Sequence, residues 1–347
     1  MKLLITGAGG FLGRNVVASA VQRGHDVRAM VRPAGRPDPS WEHHPKVELV
    51  KCDLRAATGI DEALEGVDAV IHLAATKAGD LYEQFGGTVI ATENLLAAMD
   101  RTSVRRIVTS SSFSVYEYLN RWAWSMLDET SPLATHPEQR DEYCQTKLVQ
   151  EQLVRQHAAD RHWQSVILRP GVIYGRDNLW TARLGAQLSE KYWLRIGGLA
   201  PLPLTYVENC AEAIVLAAEY AGPERDLVLN VVDDVTPSQR AYLRKLQAAM
   251  PVRPRIIPVP WTVIRGAARL AWLTNRIFFG GTAKVPGIFV PCKIHARCKS
   301  LRYSNARIRV VLGWEPRFTW QQGITRAVAD DDPATLALAQ VLNSQPH

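Results

Sequence analysis

The sequence predicts an α/β fold, in which helices cover both faces of a doubly wound parallel sheet and a second, smaller α+β lobe is added. Two observations favour this class. Short apolar runs alternate with helical patterns along the first half of the chain, and the first run ends in a cluster of glycines. At 347 residues, the chain is long enough for two lobes around one cleft.

The chain opens with a predicted strand, a glycine turn and a helix. Residues 3–5 are an apolar run typical of a buried parallel strand, and helical spacing begins after Gly13. Gly7 and Gly10 permit close approaches that a Cβ forbids, and Gly13 lets the helix pack closely on the strand. Free N–H groups of the first helical turn would face a pyrophosphate, as in a Rossmann fold. A tight turn without a ligand is the alternative.

The second predicted strand, residues 25–31, runs into Arg32. At this position an acidic residue accepts the 2′-hydroxyl of NAD, whereas a guanidinium binds the 2′-phosphate of NADP. Arg32, with Arg36 nearby, therefore favours NADP, while NAD stays possible. A solvated loop arginine is the structural alternative.

Residues 47–50 and 69–73 predict the third and fourth strands, and a long helical pattern covers residues 81–99. Residues suited to a cofactor follow both strands at the carboxyl edge of the sheet. They are Asp53 and Leu54, where adenine would lie, and Ala74 and Ala75, where the backbone could lie against the cofactor. Packing alone would also explain the two alanines.

Three serines, which include Ser112, follow the fifth predicted strand, residues 106–109. They would lie at the carboxyl edge of the sheet, where parallel sheets bind their ligands. Tyr143 and Lys147 stand four residues apart at the start of a helical pattern, which puts phenol and ammonium on one face. A tyrosine ionises near pH ~10, and a nearby lysine charge is expected to lower that pKa towards the range of general acid–base catalysis. A serine turn and a chance spacing are the alternatives.

Taken together, these motifs resemble the extended short-chain dehydrogenase/reductases, in particular the NAD(P)-dependent epimerase/dehydratase and 3β-hydroxysteroid dehydrogenase-like group. The resemblance covers nearly the whole chain. It rests on Thr6-Gly7-Ala8-Gly9-Gly10-Phe11-Leu12-Gly13, on Asp53-Leu54, on His72-Leu73-Ala74-Ala75, on Ser110-Ser111-Ser112 with Val115-Tyr116, on Tyr143 to Lys147, and on residues 168–175, 205–209 and 312–317.

The resemblance implies roles for the matching positions. Tyr143 would transfer the proton, Lys147 would bind the nicotinamide ribose and tune the phenol, and Ser112 would hydrogen-bond the reacting oxygen. Substrate contacts would come from Thr76, Ser112 and Tyr143. Besides Tyr143 and Lys147, the cofactor would contact Gly7, Gly10, Phe11, Leu12, Gly13, Arg32, Asp53, Leu54, Leu73, Ala74, Ala75, Pro170 and Val172. A homodimer through helices beside the sheet is also implied.

The sequence departs from the family pattern at two places. Glu117 follows the Val-Tyr pair where glycine is frequent, and Thr88 begins the segment where Asn-x-x-Gly-Thr is usual. Both changes put in doubt how the substrate is oriented and whether an asparagine-dependent proton relay exists. Residues 117–140 are expected to form a loop or short helix over the mouth of the active site.

The expected organisation assigns residues 1–175 to a dinucleotide-binding domain, to which residues 205–235 return. Residues 176–204 and 236–330 form the substrate lobe, and residues 331–347 form a polar tail. Within that lobe, residues 261–279 predict an apolar helix on which Arg265, Arg269 and Arg276 fall within about 40° of one another. This basic stripe suggests peripheral contact with an anionic membrane or an acyl-chain substrate, and a solvated face is the alternative.

Composition and charge argue against nucleic-acid binding, a zinc site and a membrane span. The net charge of +7 is spread along the chain without a nucleic-acid-binding module, so no nucleic-acid partner is expected. Five scattered cysteines favour a reducing cytoplasm, and Cys292, His295 and Cys298 lack the arrangement of a zinc site. No apolar run is long enough to span a membrane, and a first strand that begins at Lys2 leaves no room for a secretion leader.

The expected activity is an NAD(P)-dependent oxidoreductase that interconverts a secondary alcohol and a ketone with a Ser-Tyr-Lys set. Arg32, the apolar character of residues 255–290 and Asn209 after Glu208 favour a lipidic or sterol-like small molecule as substrate. The alternative is a nucleotide-sugar epimerase or dehydratase that oxidises its substrate transiently. A sensor or scaffold that has kept only the cofactor site is the non-enzymatic alternative.

Overall fold

The computed structural model describes residues 1–250, 253–280, 290–329 and 332–343, whose strands and helices are numbered here in chain order. The strands are β1 (Lys2–Thr6), β2 (Asp26–Val31), β3 (Val47–Lys51), β4 (Ala69–His72), β5 (Arg106–Ser110), β6 (Met126–Leu127), β7 (Gln164–Pro170), β8 (Val172–Tyr174), β9 (Gly185–Gln187), β10 (Tyr192–Ile196), β11 (Leu204–Tyr206), β12 (Asp226–Val231), β13 (Arg255–Val259) and β14 (Arg302–Tyr303).

Helices alternate with most of these strands. They are α1 (Phe11–Gln22), α2 (Ile60–Leu64), α3 (Leu81–Phe85), α4 (Ala91–Arg101), α5 (Glu142–Asp160), α6 (Val207–Glu219), α7 (Gln239–Ala249), α8 (Trp261–Phe279), α9 (Pro291–Cys298), α10 (Ala306–Leu312), α11 (Trp320–Ala327) and α12 (Pro333–Asn343).

The main sheet has seven strands in the order β12-β7-β5-β4-β1-β2-β3, and all neighbours are parallel. The chain starts at β1, builds outwards through β2 and β3, and returns to place β4 on the other side of β1. The strand order therefore reverses beside β1. In open α/β sheets, ligands bind in the crevice at the carboxyl ends of the strands at such a reversal.

Apolar layers cover both faces of this sheet, because its strands are buried on both sides. Leu3 and Ile5 of β1 pack in a cluster with α1 and α6, whereas Leu4 points into a second cluster with α2, α4 and α5. All three side chains are fully buried. Successive strand residues face opposite sides, so the continuous apolar run at residues 3–5 suits a strand with two covered faces.

The helical pattern over residues 81–99 is interrupted. A π-helical segment, Gly86–Ile90, separates α3 from α4. Two glycines weaken helix propensity at this point. A Cβ on Gly87 would overlap the Thr76 hydroxyl, and the Thr88 hydroxyl accepts the N–H of Thr76 at 3.1 Å. The irregular turn thus lies against the loop after β4.

The smaller lobe contains a sheet of β13, β10 and β9, together with α7 and α8. Strand β10 pairs in parallel with β13 and antiparallel with β9. An apolar cluster that includes Trp193 and Leu243 lies between this sheet, α7 and α11. The mixed pairing agrees with the α+β character predicted for the lobe.

Packing near the end of the chain differs from the predicted organisation. Ile308 of α10 and Trp314 belong to the apolar cluster of α1 and α6, although residues 236–330 were assigned to the substrate lobe. The polar tail expected at residues 331–347 is wrong for residues 333–343, because α12 buries Ala334 and Leu338 against α1. Spacing of i and i+4 gives this segment an apolar face. Residues 331 and 344–347 lie outside the described residues.

Candidate active site

The carboxyl ends of β1, β2, β4, β5 and β7 border a cleft of about 1100 Å³. Every cofactor, catalytic and substrate residue predicted from the sequence lines this one cleft. They are Gly7, Gly10, Phe11, Leu12, Gly13, Arg32, Asp53, Leu54, Leu73, Ala74, Ala75, Thr76, Ser112, Tyr143, Lys147, Pro170 and Val172. Their individual roles stay predictions.

The glycine turn at one end of the cleft requires its glycines. Gly7 has φ +70°, and a Cβ there would lie 2.9 Å from the backbone nitrogen of Ala74. A Cβ on Gly13 would overlap the backbone carbonyl oxygen of Gly7. Gly10 precedes α1, and no side chain caps the helix. The N–H groups of its first turn are therefore left for an anion, which fits the diphosphate of a dinucleotide.

The far end of the cleft carries three arginines and one carboxylate. Arg55 donates to Asp53 at 2.6 Å, and this hydrogen bond is the main reason why the pKa of Asp53 is lowered. Arg32 and Arg36 make no ion pair with another described residue. Arg55 was missed in the sequence because nothing in its spacing separates it from a solvated arginine.

Two caps position the phenol and the serine. Asp141 accepts the N–H of Cys144 at 2.9 Å and starts α5, so Tyr143 lies in the first turn. The Ser112 oxygen accepts the N–H of Ser114 at 3.1 Å, which leaves its hydroxyl proton to donate to Tyr143. Lys147 places its Nζ 5.9 Å from the centre of the Tyr143 ring.

The expected lowering of the Tyr143 pKa by Lys147 is wrong for the chain alone. Burial in the cleft wall raises the pKa of Tyr143 to about 12, against the hydrogen bond from Ser112. The Lys147 ammonium points elsewhere, since it donates to the Ser110 carbonyl at 2.7 Å and to Gln150 at 2.8 Å. Burial, with the charge of Lys77, lowers the pKa of Lys147 to about 7.

Lys77 is a second cation beside the phenol that sequence reasoning missed. Its Nζ lies 5.7 Å from the centre of the Tyr143 ring, and the cleft walls lower its pKa by partial burial. Its position directly after Ala74, Ala75 and Thr76 was the available signal, because those residues already pointed to the cleft. Tyr143 therefore lies between two ammonium groups.

Behind Lys147 runs a buried chain of polar side chains. Gln150 accepts from Lys147 and donates to the Thr92 hydroxyl at 2.9 Å. The Thr92 hydroxyl itself donates to the Thr88 carbonyl at 2.5 Å. Thr92 must therefore also accept from Nε2 of His72, 2.9 Å away. This chain occupies the region of the doubtful asparagine relay.

The same chain determines the protonation of His72. With its proton on Nε2, His72 accepts at Nδ1 from the Thr6 hydroxyl at 2.8 Å. Burial, with the charge of Lys147, lowers the pKa of His72 to about 3, so the ring is neutral. Leu73 and Ala74 donate their N–H groups to Thr6 at 3.2 Å. The carboxyl ends of β1 and β4 are thereby held together under the cleft.

A buried ion pair supports α5 one turn further along. Arg169 donates to both carboxylate oxygens of Glu151, at 2.9 and 2.6 Å, and both side chains are almost fully buried. The Ser111 hydroxyl donates to the same carboxylate. Arg169 also donates to the Tyr116 hydroxyl at 3.1 Å. This pair anchors the helix that carries Tyr143 and Lys147 to β5 and β7.

Residues 117–140 do not form the expected cover, since none of the described residues that line the cleft comes from this segment. It is mostly loop, with β6 paired to β14, and Trp122 is 87% exposed. Within the described residues, no group of three His, Cys, Asp or Glu side chains could hold a metal ion. No helix of the described part is long and apolar enough to cross a membrane.

A glycine turn at the strand reversal of a doubly wound sheet, with serine, tyrosine and lysine in the same cleft, defines the class of nicotinamide-dependent oxidoreductases of the short-chain type. The chain belongs to the NAD dependent epimerase/dehydratase family, whose model matches residues 3–231. It is an NAD(P)-dependent oxidoreductase of the extended short-chain dehydrogenase/reductase type. The predicted fold class, family resemblance and enzyme class are confirmed.

Curated relatives match over most of the chain. The 3 beta-hydroxysteroid dehydrogenase/Delta 5-->4-isomerase of Mycobacterium tuberculosis is 28% identical over 94% of this chain and 89% of that protein. The 4-hydroxy-2-methyl-3-oxo-4-farnesyl-3,4-dihydroquinoline-1-oxide ketoreductase of Stigmatella aurantiaca is 29% identical over 93% and 95%. Sterol demethylase protein B of Methylococcus capsulatus is 30% identical over 80% and 84%.

Solved structures share the fold at low identity. A UDP-glucose-4-epimerase from Stenotrophomonas maltophila with bound NAD and formylated UDP-arabinopyranose matches with TM-score 0.72 at 20% identity, over 98% of this chain and 99% of that one. MoeE5 in complex with UDP-glucuronic acid and NAD matches with TM-score 0.70 at 21% identity, over 94% and 98%.

Proposed function

We propose that this protein interconverts a secondary alcohol and a ketone on an apolar, lipidic or sterol-like small molecule. The observation that carries the proposal is the common cleft of Ser112, Tyr143, Lys147 and the glycine turn. A bound nicotinamide dinucleotide supplies the hydride chemistry, which no side chain can provide. Relatives named as a hydroxysteroid dehydrogenase and a ketoreductase support this substrate class.

In this proposal Tyr143 holds or moves the proton at the reacting oxygen, and Ser112 hydrogen-bonds the same oxygen. With its pKa raised to about 12 by burial, Tyr143 is a neutral phenol at pH 7. A neutral phenol can donate its proton to a carbonyl oxygen during ketone reduction, as any tyrosine of ordinary pKa can. Lys77 and Lys147 place their Nζ atoms 5.7 and 5.9 Å from the centre of the Tyr143 ring, and neither lowers the pKa of Tyr143 in the chain alone.

Tyr143→Phe tests the assignment. Loss of the proton donor is expected to lower kcat by about 10²-fold to 10⁴-fold in NADPH-dependent reduction of ketosteroids and β-keto esters. Dinucleotide binding, measured by thermal shift, is expected to persist because the glycine turn is unchanged. Tyr82→Phe on the exposed surface of α3 is the matched control. Unaltered turnover in Tyr143→Phe would disprove the role.

The second candidate is a nucleotide-sugar epimerase or dehydratase, which the family model and the names of the similar structures favour. The same residues would then oxidise the substrate transiently, and the cofactor would be regenerated in place. Tightly retained dinucleotide with conversion of a UDP-sugar and no net use of NADPH would select this candidate over the first.

We propose NADP as the preferred dinucleotide. Arg32 and Arg36 line the adenosine end of the cleft and form no ion pair within the described residues, while Asp53 is paired with Arg55 and the charge of Arg32 only adds to the lowering of its pKa. Two guanidinium groups suit a 2′-phosphate. Arg32→Asp is expected to raise KM for NADPH at least about tenfold and to leave that for NADH within about threefold. An equal change of KM for NADPH and for NADH would contradict the proposed preference for NADP.

We also propose a homodimer through α3 and α5. The two helices contact each other and expose apolar side chains, and Tyr82 is 86% exposed. The exposed set is Leu81, Tyr82, Phe85 and Val149. Sedimentation is expected to give a dimer that Tyr82→Asp dissociates, and a wild-type monomer would refute it.

We propose peripheral contact with an anionic membrane through residues 261–279. Apolar residues of α8 are exposed beside Arg265, Arg269 and Arg276, which supports this mode of binding. Placement in the cytoplasm stays a prediction from the cysteine content. The four cysteines whose side chains are described are free and buried.

A further inference from the structure

A second cavity, of about 960 Å³, lies in the smaller lobe and is called the basic cavity here. Helices α8 and α9, the loop after β10 and residues 119–123 surround it. Its described lining contains no Asp or Glu. It contains five arginines and one lysine, which are Arg121, Arg195, Arg240, Arg265, Arg269 and Lys299.

Three of these six side chains donate to backbone carbonyls, and the other three have no partner among the described residues. The side chains of Arg240, Arg265 and Arg269 make no ion pair or hydrogen bond with another described residue. Lys299 donates to three backbone carbonyls, at 2.6 to 2.8 Å. Burial, with the charges of Arg265 and Arg121, lowers the pKa of Lys299 against the opposing charge of Glu117. The Glu117 carboxylate already accepts the N–H of Leu119 at 2.6 Å.

Burial and the positive charges of the cavity lower the pKa values of neighbouring basic groups. Burial, with the charges of Lys299, Arg265 and Arg269, lowers the pKa of His295 to about 4. The buried Nδ1 of His295 has no hydrogen-bond partner in the described part of the chain. Burial, with the charges of Arg240 and Arg244, also lowers the pKa of Arg195. An anion in the cavity would relieve this repulsion.

Helix α8 presents a different side to the solvent. Trp261, Arg265, Ala268 and Arg269 line the cavity. At about 100° per residue, positions 263, 270, 273 and 277 fall within about 80° on another side of the helix. These four residues, Val263, Leu270, Leu273 and Ile277, form an apolar strip whose members are between 48% and 63% exposed.

The cavity and the strip together indicate an anion attached to an apolar body. Arginine pairs bind phosphate oxygens with directed hydrogen bonds, whereas a free phosphate would leave the apolar strip in water. We propose that the basic cavity binds the phosphate head of an anionic membrane lipid while the apolar strip of α8 enters the bilayer. This inference rests on the peripheral membrane contact proposed above.

Vesicle co-sedimentation tests the membrane half. The full chain is expected to bind phosphatidylcholine vesicles that contain phosphatidic acid and not phosphatidylcholine alone. Two charges that act only through the surface potential would contribute roughly 30-fold, so R265Q/R269Q is expected to weaken binding by more than about 100-fold if the cavity holds the phosphate head. R276Q is the control, because Arg276 shares the stripe but lies outside the cavity, over Trp272 at 5.5 Å. It is expected to lose no more than about fivefold. The same loss per charge removed in both variants would overturn the head-group site.

Soluble ligands test the cavity without a membrane. Dihexanoyl phosphatidic acid, kept monomeric, is expected to bind saturably by calorimetry, and R265Q/R269Q is expected to abolish this binding. Inorganic phosphate that bound as tightly would mean a site for free anions and overturn the lipid assignment. L270S/I277S is expected to lose vesicle binding and keep soluble binding. Soluble binding without any vesicle binding would refute the membrane contact, and circular dichroism verifies that each variant folds.

Discussion

The ionisable side chains around Lys147 have hydrogen-bond or ion-pair partners, whereas those of the basic cavity largely face other cations. Lys147 donates to Ser110 and Gln150, and the neighbouring Glu151 is paired with Arg169. In the basic cavity, Arg265 and Arg269 face other cations and have no described partner. Lys147 is buried, whereas the side chains of Arg265 and Arg269 are exposed at the rim of the cavity, so the two regions differ in burial as well as in pairing.

Paired and unpaired charges have different consequences for stability. A network in which each group has a partner resists change, because removing one member leaves another unpaired in a low dielectric. A cluster of like charges costs stability unless a ligand neutralises it. We therefore expect substitutions near Lys147 to destabilise the protein and substitutions in the basic cavity to spare or improve its stability.

Glu151→Leu is expected to give the largest effect. It would leave Arg169 buried without its carboxylate, at a cost of about 3–5 kcal/mol in the free energy of unfolding. Denaturant titration measures the change. Asp61→Ala is the control, since the Asp61–Arg101 pair lies at the surface, where water and salt screen an ion pair and it contributes little. Similar losses in the two variants would contradict the contrast.

Gln150→Leu is expected to cost about 1–3 kcal/mol, because Lys147 and Thr92 each lose a buried hydrogen bond. It should also lower kcat, since Lys147 loses the group that holds it. Gln150→Glu would place a carboxylate against the ammonium and move the Lys147 pKa upwards from about 7, which shifts the corresponding limb of the pH profile of kcat. Gln145→Leu on the same helix is the control, and an identical profile for all variants would exclude this positioning role.

The pH dependence of stability isolates Lys147. Its pKa is lowered in the folded chain from 10.5 to about 7, so between these values the unfolded chain binds more protons. Stability should therefore rise with pH across this window, by up to about 1.4 kcal/mol per pH unit. Lys147→Met should lack that contribution. The slope difference between wild type and variant, from denaturant titrations at pH 7 to 10, would be zero if Lys147 kept an ordinary pKa.

The smallest effect is expected in the basic cavity. R265Q/R269Q removes like charges and should stabilise the protein by less than about 1 kcal/mol. The pKa of His295 should rise above about 4 because two of the charges that lower it are gone. Thermal unfolding and the NMR titration of His295 measure these changes. A clear loss of stability would mean that the arginines have structural partners.

Local patterns carried much of the prediction. The alternation of apolar runs predicted the parallel sheet, and the three glycines predicted the turn, because a missing Cβ is a property of the residue itself. All predicted site residues line one cleft for the same reason. Parallel strands deliver their carboxyl ends to one edge, so residues just after several strands meet.

Other features depended on neighbours distant in sequence. The pKa of Tyr143 was expected to fall because Lys147 is four residues away, but burial raises it and Lys147 points towards Gln150. Lys77 was missed because its nearness to the phenol arises from the loop after β4. The end of the chain was read as polar, yet Ala334 and Leu338 find an apolar partner surface on α1.

Local spacing and strand direction are enough to predict the class of fold, the glycine turn and the residues that meet at the carboxyl edge of the sheet. The pairing of charges depends on contacts between distant parts of the chain. A charged side chain finds its partner only among the groups packed around it, and Glu151 and Arg169, like Arg195 and Arg265, are brought together from separate parts of the chain.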